Sequence, residues 1–541
     1  MAPKRTRNGL IDVIGYKGIN DMQLIGVRKQ FTQKNVKDFC RHSLYRAVKD
    51  SYDEIAATIE LDQTGGKSFT WHIANLHKML AALLRVSNGF RFAMQAAVAN
   101  SEDCTLSGCL YLDEAEPGNP LAPDNATKTW NFYVSFLEFP QYLLLMEEGW
   151  LCIASIRTNE VKKVNGHIAG VAKHLLNYLV FELGTHRGIQ LQLEDESYSS
   201  ATIVRIRWVD TVGDEAAMSH LWNSRSASAN LPCMKCTNVT VASSGWVDLD
   251  PSGACVDISC PYTSRFFRRS HQDACRMHDR LEALNGTMSA TAFVDEQKAC
   301  GMTYNAHGLL SDKRLREHLD YDGSRYDSQH TTTSNGTIAK DMWAFLVDCS
   351  HSDIGVRRIQ AQVKADWRWP SIFQGHNPLS TLRRFFSDGR MRLDYNALHG
   401  GSSEMLIVYP VLRFFALSVV WDEETRILEE EIKCLLAGCR VMDLLTLIKT
   451  GFSLDYNLLQ RLIVDRLART SALYPDRLVP KDHFTMHLLD FHFQEIGARN
   501  EGKKKLQQIC RLLLPRAETQ NMQSSHFPHQ QHEMLRKDND A

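Results

Sequence analysis

The chain has 541 residues, 44% of them hydrophobic, enough to bury a large core spread over two to four domains. Its 62 basic and 63 acidic side chains nearly cancel, so any nucleic-acid surface has to be a local patch. Fourteen cysteines without a disulfide-like spacing read as reduced thiols, and the longest apolar stretch, Leu406 to Trp421, is interrupted by Pro410 and Arg413; the expectation is a soluble, nuclear or cytoplasmic protein with no membrane partner.

In chain order, residues 1–67 form an N-terminal segment, helical in part, with a helix over 34–62. Lys4-Arg5-Thr6-Arg7 fits nuclear import or a solvated tail, and no apolar stretch follows it as in a secretory signal. Gly65-Gly66-Lys67-Ser68 lacks the upstream glycine spacing of a phosphate loop. Residues 68–100 read as a helical layer, with Ile73, Leu76, Met79, Leu80, Leu83 and Leu84 recurring at helical steps across 71–99. The pattern then changes. Within 101–223, Cys104–Glu114, Thr129–Glu138 and Trp150–Arg157 read as strands, Asn165–Leu183 as an amphipathic helix, Ala201–Val209 as a fourth strand, and Glu215–Asn223 as a helix.

This β-β-β-α-β-α order is that of a ribonuclease-H-like core, in which the first and fourth strands lie side by side; the class is α/β (α+β). Residues 224–337 read as a long Cys/His-bearing insertion, zinc-knuckle-like in part. Residues 338–515 form a helical part, with Ser403–Val420 broken at Pro410 and a second run from Glu423 to Thr450. Residues 516–541, rich in Gln, His and Ser, read as a disordered tail.

Asp113 ends the first strand and Asp214 follows the fourth, with Asp210 as its rival. Carboxylates projecting from neighbouring strand ends can hold divalent metal, and metal plus water is how proteins cut or join phosphodiesters. Asp214 also suits the cap of the next helix. Cys233-x-x-Cys236 has the spacing of half a tetrahedral zinc site; Cys255, Cys260, Cys275, His278 and His330 with Asp327 are available partners, and Cys275-Arg-Met-His278 repeats the spacing. A pair of buried thiols is the competing reading. His483 and His487 lie four apart on one face of a helix over 484–493; Phe484 stands where a zinc peptidase has Glu, so they read as ordinary helix residues. Arginines interleaved with aromatic rings suit phosphate pairing and base stacking, which makes Arg265, Arg268 and Arg269, and Arg383 and Arg384, the expected DNA contacts. Lys503-Lys504-Lys505 is a further basic run.

Several segments in one order carry a resemblance. They are Leu112-Asp-Glu-Ala-Glu-Pro-Gly-Asn-Pro-Leu121, Phe132-Tyr-Val-Ser-Phe-Leu-Glu-Phe-Pro140, Gly213-Asp-Glu-Ala-Ala217 and Pro232-Cys-Met-Lys-Cys-Thr-Asn-Val239. Tyr326-Asp-Ser-Gln-His330, Gly400-Gly-Ser-Ser-Glu-Met-Leu406 and Pro480-Lys-Asp-His-Phe-Thr-Met-His487 follow. Across roughly residues 68–490 the chain resembles the DDE-type transposases of the CACTA (En/Spm) group, especially transposase-derived proteins multiplied in protist genomes. The resemblance implies Asp113, Asp214 and Glu404 as carboxylates for two Mg²⁺ or Mn²⁺ ions, and Asp327 with His330 as an Asp-x-x-His element. It also implies a DNA partner, strand cleavage and transfer in DNA recombination, and a possible homo-oligomer. The chain departs from that pattern at Asn223–Asn230, at Ser328-Gln329, and in lacking a recognisable amino-terminal DNA-reading module. Those departures motivate the alternative of a catalytically inactive DNA- or protein-binding module.

Overall fold

The computed structural model describes residues 55–115, 128–139, 141–144, 149–194, 201–241, 252–352, 397–398, 400–421, 426–449 and 455–489. The expectations for residues 1–54, for Arg383 and Arg384, for Lys503–Lys505 and for the 516–541 tail lie outside these. The chain divides into two units, one of residues 1–332 with 436–514 and one of 333–435 with 515–541.

The first unit is mixed α/β around one central sheet. It opens on a hairpin where helix was expected, β1 (Ala56–Gln63) and β2 (Lys67–Ala74), paired from Ala56–Ala74 to Gln63–Lys67. Ile59, Leu61 and Gln63 point inward and their alternate neighbours outward, a period of two that the helical reading overlooked. Gly65 and Gly66 close the loop at φ +79° and +72°, a conformation that costs a residue with a Cβ about 1–2 kcal/mol. The helical layer therefore begins later, with α1 (Leu76–Val86) and α2 (Asn88–Ala99); Asn75 and Ser87 cap them through their side chains.

Next come β3 (Thr105–Ala115), β4 (Thr129–Phe136), β5 (Leu151–Arg157), α3 (His167–Asn177), β7 (Thr202–Gly213) and α4 (Glu215–Trp222), near the expected positions although β7 runs four residues past Val209, and between α3 and β7 a short β6 (Ile189–Leu191) that was not expected. Ile168, Val171, Ala172, Leu175 and Leu176 bury the inner face of α3, each worth about 1.5–3 kcal/mol when fully removed from water, except that Ala172 contributes less. The sheet runs β1-β2-β5-β4-β3-β7 and ends on β10 (Ser324–Tyr326), with β6 pairing β7. β3 is antiparallel to β4 and parallel to β7, and β7 is parallel to β10, a three-residue strand too short to read as a pattern.

Along β3 and β7 the register steps from Gly108–Trp208 to Cys109–Asp210, so Val209 is an extra residue. Gly323 packs on this bulge so closely that a Cβ there would fall 1.7 Å from the Val209 carbonyl oxygen. Beneath it, Asp210 and Arg325 form a buried ion pair, with 2.8 Å contacts from both Nε and a terminal nitrogen of the guanidinium.

The insertion between α4 and β10 holds a two-stranded parallel pair, β8 (Val239–Thr240) with β9 (Val256–Asp257), then α5 (His271–Leu284) and α6 (Ala290–Cys300). Farther along, the first unit contains α7 (Tyr456–Leu473), α8 (Pro480–Phe484) and a 3₁₀ turn over Thr485–Leu489. In the second unit, helices Thr337–His351 and Ser402–Phe415 pack together. The expected break at Pro410 is absent: the helix runs through it and continues as a π turn over Ala416–Val420. Proline removes one donor from the ladder, and burial of Met405, Val408, Val411 and Leu412 holds the remaining turns. Among the described residues no helix is long and apolar enough to cross a membrane.

Candidate functional site

Three parallel strands deliver three acids to one sheet edge. Leu112 is opposite Gly213 across β3 and β7, and Tyr326 is opposite Gly213 across β7 and β10. The next residue on each strand is Asp113, Asp214 and Asp327, and the Asp327 N–H donates to the Gly213 carbonyl at 2.8 Å. Asp214 caps α4 by accepting the Ala217 N–H at 2.6 Å, as its type and position suggested. Asp327 is buried and pairs with His330 Nδ1 at 2.5 Å.

The electrostatics of this edge are those of crowded charge. Burial pushes the Asp113 carboxyl above its usual range; His330 opposes the shift, while Asp214 and Asp327 add to it. Burial would lower the His330 imidazole, but the hydrogen bond and charge of Asp327, then Asp214 and Asp113, raise it overall. Burial and the nearby Asp327 and Asp113 hold the Tyr111 phenol protonated. Lys481 on α8 donates to the His330 carbonyl at 3.1 Å; burial lowers its ammonium, against the pull of Glu215, Asp214 and Asp327. Lys481 lies within the Pro480–His487 segment of the resemblance but had no role assigned to it, and Tyr111 carries no local motif. Asp210, the rival to Asp214, is committed to Arg325. Glu404 lies in the second unit, at the head of helix Ser402–Phe415, where its Oε2 accepts the Gly401 N–H at 3.0 Å.

A second cluster corrects the expected zinc partners. Cys233, Cys236, His483 and His487 are all buried, with one potential ligand atom from each within 4.8 Å of the others. His487 Nε2 lies 3.1 Å from Cys233 Sγ, 3.5 Å from Cys236 Sγ and 3.0 Å from His483 Nε2. A single ring proton cannot satisfy three such contacts, whereas one cation at the centre satisfies all four donors. Tetrahedral zinc with bonds of about 2.0–2.3 Å has ligand–ligand edges of about 3.3–3.8 Å, close to these separations. The set is compatible with zinc. Burial opposes ionisation of the Cys233 thiol, but Cys236 and the two imidazoles outweigh it and bring the thiol well below its usual range.

The Cys233–Cys236 loop is stitched to the sheet. Met234 N–H donates to the Tyr326 hydroxyl at 3.2 Å, and Lys235 Nζ donates to the Asp322 and Ser324 carbonyls at 2.9 and 2.7 Å. Tyr326 in turn stacks on Phe484 with ring centroids 4.4 Å apart. His483 and His487 are thus not ordinary helix residues; their four-residue spacing was the available signal, and it was set aside because Phe484 stands where a zinc peptidase has Glu.

Cys275 and His278 do not join this cluster. Cys275 Sγ lies 3.4 Å from His271 Nε2 on its own helix. His278 sits with Asp279 and Glu282 in a second close group, but the Arg316 guanidinium bonds Asp279 through both terminal nitrogens, at 3.1 and 2.7 Å, and reaches His278 Nδ1 at 3.1 Å. A protein cation already serves that group. Arg269 is also corrected as a DNA contact: it is 2% exposed and donates to the Cys300 carbonyl at 3.0 Å. Arg265 and Arg268 are exposed, beside the exposed rings of Tyr262 and Phe267, and Arg268 also contacts His487 Nδ1. No family model and no curated protein matches the chain.

Proposed function

We propose that the chain is a transposase-like DNA-binding protein with a ribonuclease-H-like core that performs metal-dependent DNA strand cleavage and transfer. The observation that carries this reading is the convergence of Asp113, Asp214 and Asp327 at the ends of three adjacent parallel strands. The path β5-β4-β3-β7-β10, antiparallel twice and then parallel twice, is the strand arrangement expected of such a core.

The acids do not form a cage for one ion: among the described residues, they are not a group whose oxygens all lie within 4.8 Å. Two Mg²⁺ or Mn²⁺ ions, held about 3.5–4 Å apart and keeping several waters, suit a wider set of carboxylates. Such ions would activate water for the first cut and a 3′-hydroxyl for transfer. Asp113 and Asp214 are the assigned ligands, with Asp327 and His330 beside them. Arg265 and Arg268 would meet the DNA backbone, and a zinc ion would brace the Cys/His cluster. The expected compartment is the nucleus, where the DNA is.

Purified protein should nick supercoiled DNA with Mn²⁺, and Asp113→Asn should slow nicking about a thousandfold, the loss of several kcal/mol of metal-borne stabilisation. Absence of nicking with every divalent ion tried would refute the enzyme. The commitment of Glu404 to its own helix start favours a second reading, a catalytically silent DNA-binding module, which predicts salt-sensitive DNA binding without cleavage.

A further inference from the structure

Lys481 connects the two clusters. It lies on α8 just before two anchored residues. Asp482 is buried, pairs with Arg466 at 2.8 Å and accepts the Val479 N–H at 2.8 Å, while His483 belongs to the Cys/His set. Pro480 restricts the backbone at the helix start. The helix is thereby held from both sides of Lys481, and the half-buried lysine extends to the other cluster, donating to the His330 carbonyl at 3.1 Å. Asp214, Glu215 and Asp327 are its charged surroundings there.

We propose that Lys481 is a tethered counter-cation of the acid cluster, offsetting Asp214 and Asp327 while divalent ions are absent and turning to a backbone phosphate of bound DNA once ions occupy the carboxylates. The inference rests on the metal-dependent reading of that cluster and adds a residue to it. The physical reason is charge balance. An ammonium beside carboxylates lowers their mutual repulsion, but it repels an incoming divalent cation. A lysine has a compact charge on a flexible stem, so it can exchange one oxygen anion for another with no movement of its helix. The Cys/His cluster would act here by positioning α8.

The test measures Mn²⁺ binding without DNA by electron paramagnetic resonance, and the salt dependence of binding to a DNA duplex with Mn²⁺ present. Lys481→Met and Lys481→Gln should bind Mn²⁺ about threefold to tenfold more tightly than wild type. Their plots of log affinity against log salt should be shallower by about 0.9, the contribution of one phosphate contact. Lys481→Arg keeps the charge and should keep both wild-type values; loss of either overturns a charge-based role. Unchanged or weaker Mn²⁺ binding in the neutral variants, or an unchanged salt slope, overturns the assignment of Lys481 alone. If wild-type Mn²⁺ binding is absent or is unaffected by Asp113→Asn, the metal reading has itself failed, and this inference falls with it.

Discussion

The carboxylate edge and the Cys/His cluster share one unit of the chain but are built from opposite materials. At the edge, hard oxygen donors sit at neighbouring strand ends, repel one another and leave Asp113 reluctant to ionise. In the cluster, two sulfurs and two imidazoles are fully enclosed and converge within 4.8 Å. An open set of oxygens suits ions that must also hold water and substrate; a closed set of soft donors suits an ion that holds structure. The contrast teaches that a metal-site prediction needs the donor type and the degree of closure together.

The largest effect that would break this comparison lies in the closed cluster. Cys233→Ser or His487→Ala should abolish bound zinc, measured by metal analysis, and lower stability by at least about 3 kcal/mol in a denaturant titration, because metal binding to such a set is folding energy. If protein prepared with zinc contains none and either variant melts like wild type, the cluster is a pair of thiols beside two histidines and no more. Next in size is Gly323→Ala. A Cβ 1.7 Å from the Val209 carbonyl forces backbone movement, with an expected cost of about 2–3 kcal/mol. Unchanged stability would show that the bulge is not held as described.

The smallest effect has the opposite sign. Asp113→Asn should stabilise the metal-free protein at neutral pH by about 1 kcal/mol. The folded-state Asp113 carboxyl is raised, so its contribution favours folding below the unfolded value near 3.8 and is lost as pH rises through the folded value. The advantage of the asparagine variant should therefore appear as pH rises through that folded value and vanish in acid. Thermal melts of both proteins across that range, without divalent ions, decide it.

Much of the central sheet was legible because β3, β4, β5, α3 and β7 each bury one face and so print their period on the residues. Asp113 stood out as the first charge past an apolar strand, and Asp214 as an acid just before a helix, within the Gly213–Ala217 segment of the resemblance. The hairpin before them was missed because the helical spacing from Ile73 to Leu84 extended its reading backward over β2, although Gly65-Gly66 carried the turn. β10 has three residues and no period at all, so nothing local marked Asp327 as a third strand-end acid. The partners of Cys233 were misjudged because proximity in sequence favoured Cys275 and His278. Long-range closure leaves no local trace.

That closure has a consequence for how the molecule is made. Cys233 and His487 are 254 positions apart, and residues 333–435 of the second unit are encoded between them. During synthesis the thiols emerge from the ribosome long before their imidazole partners. The nascent chain must keep them reduced, and away from stray metals, until His483 and His487 have been translated.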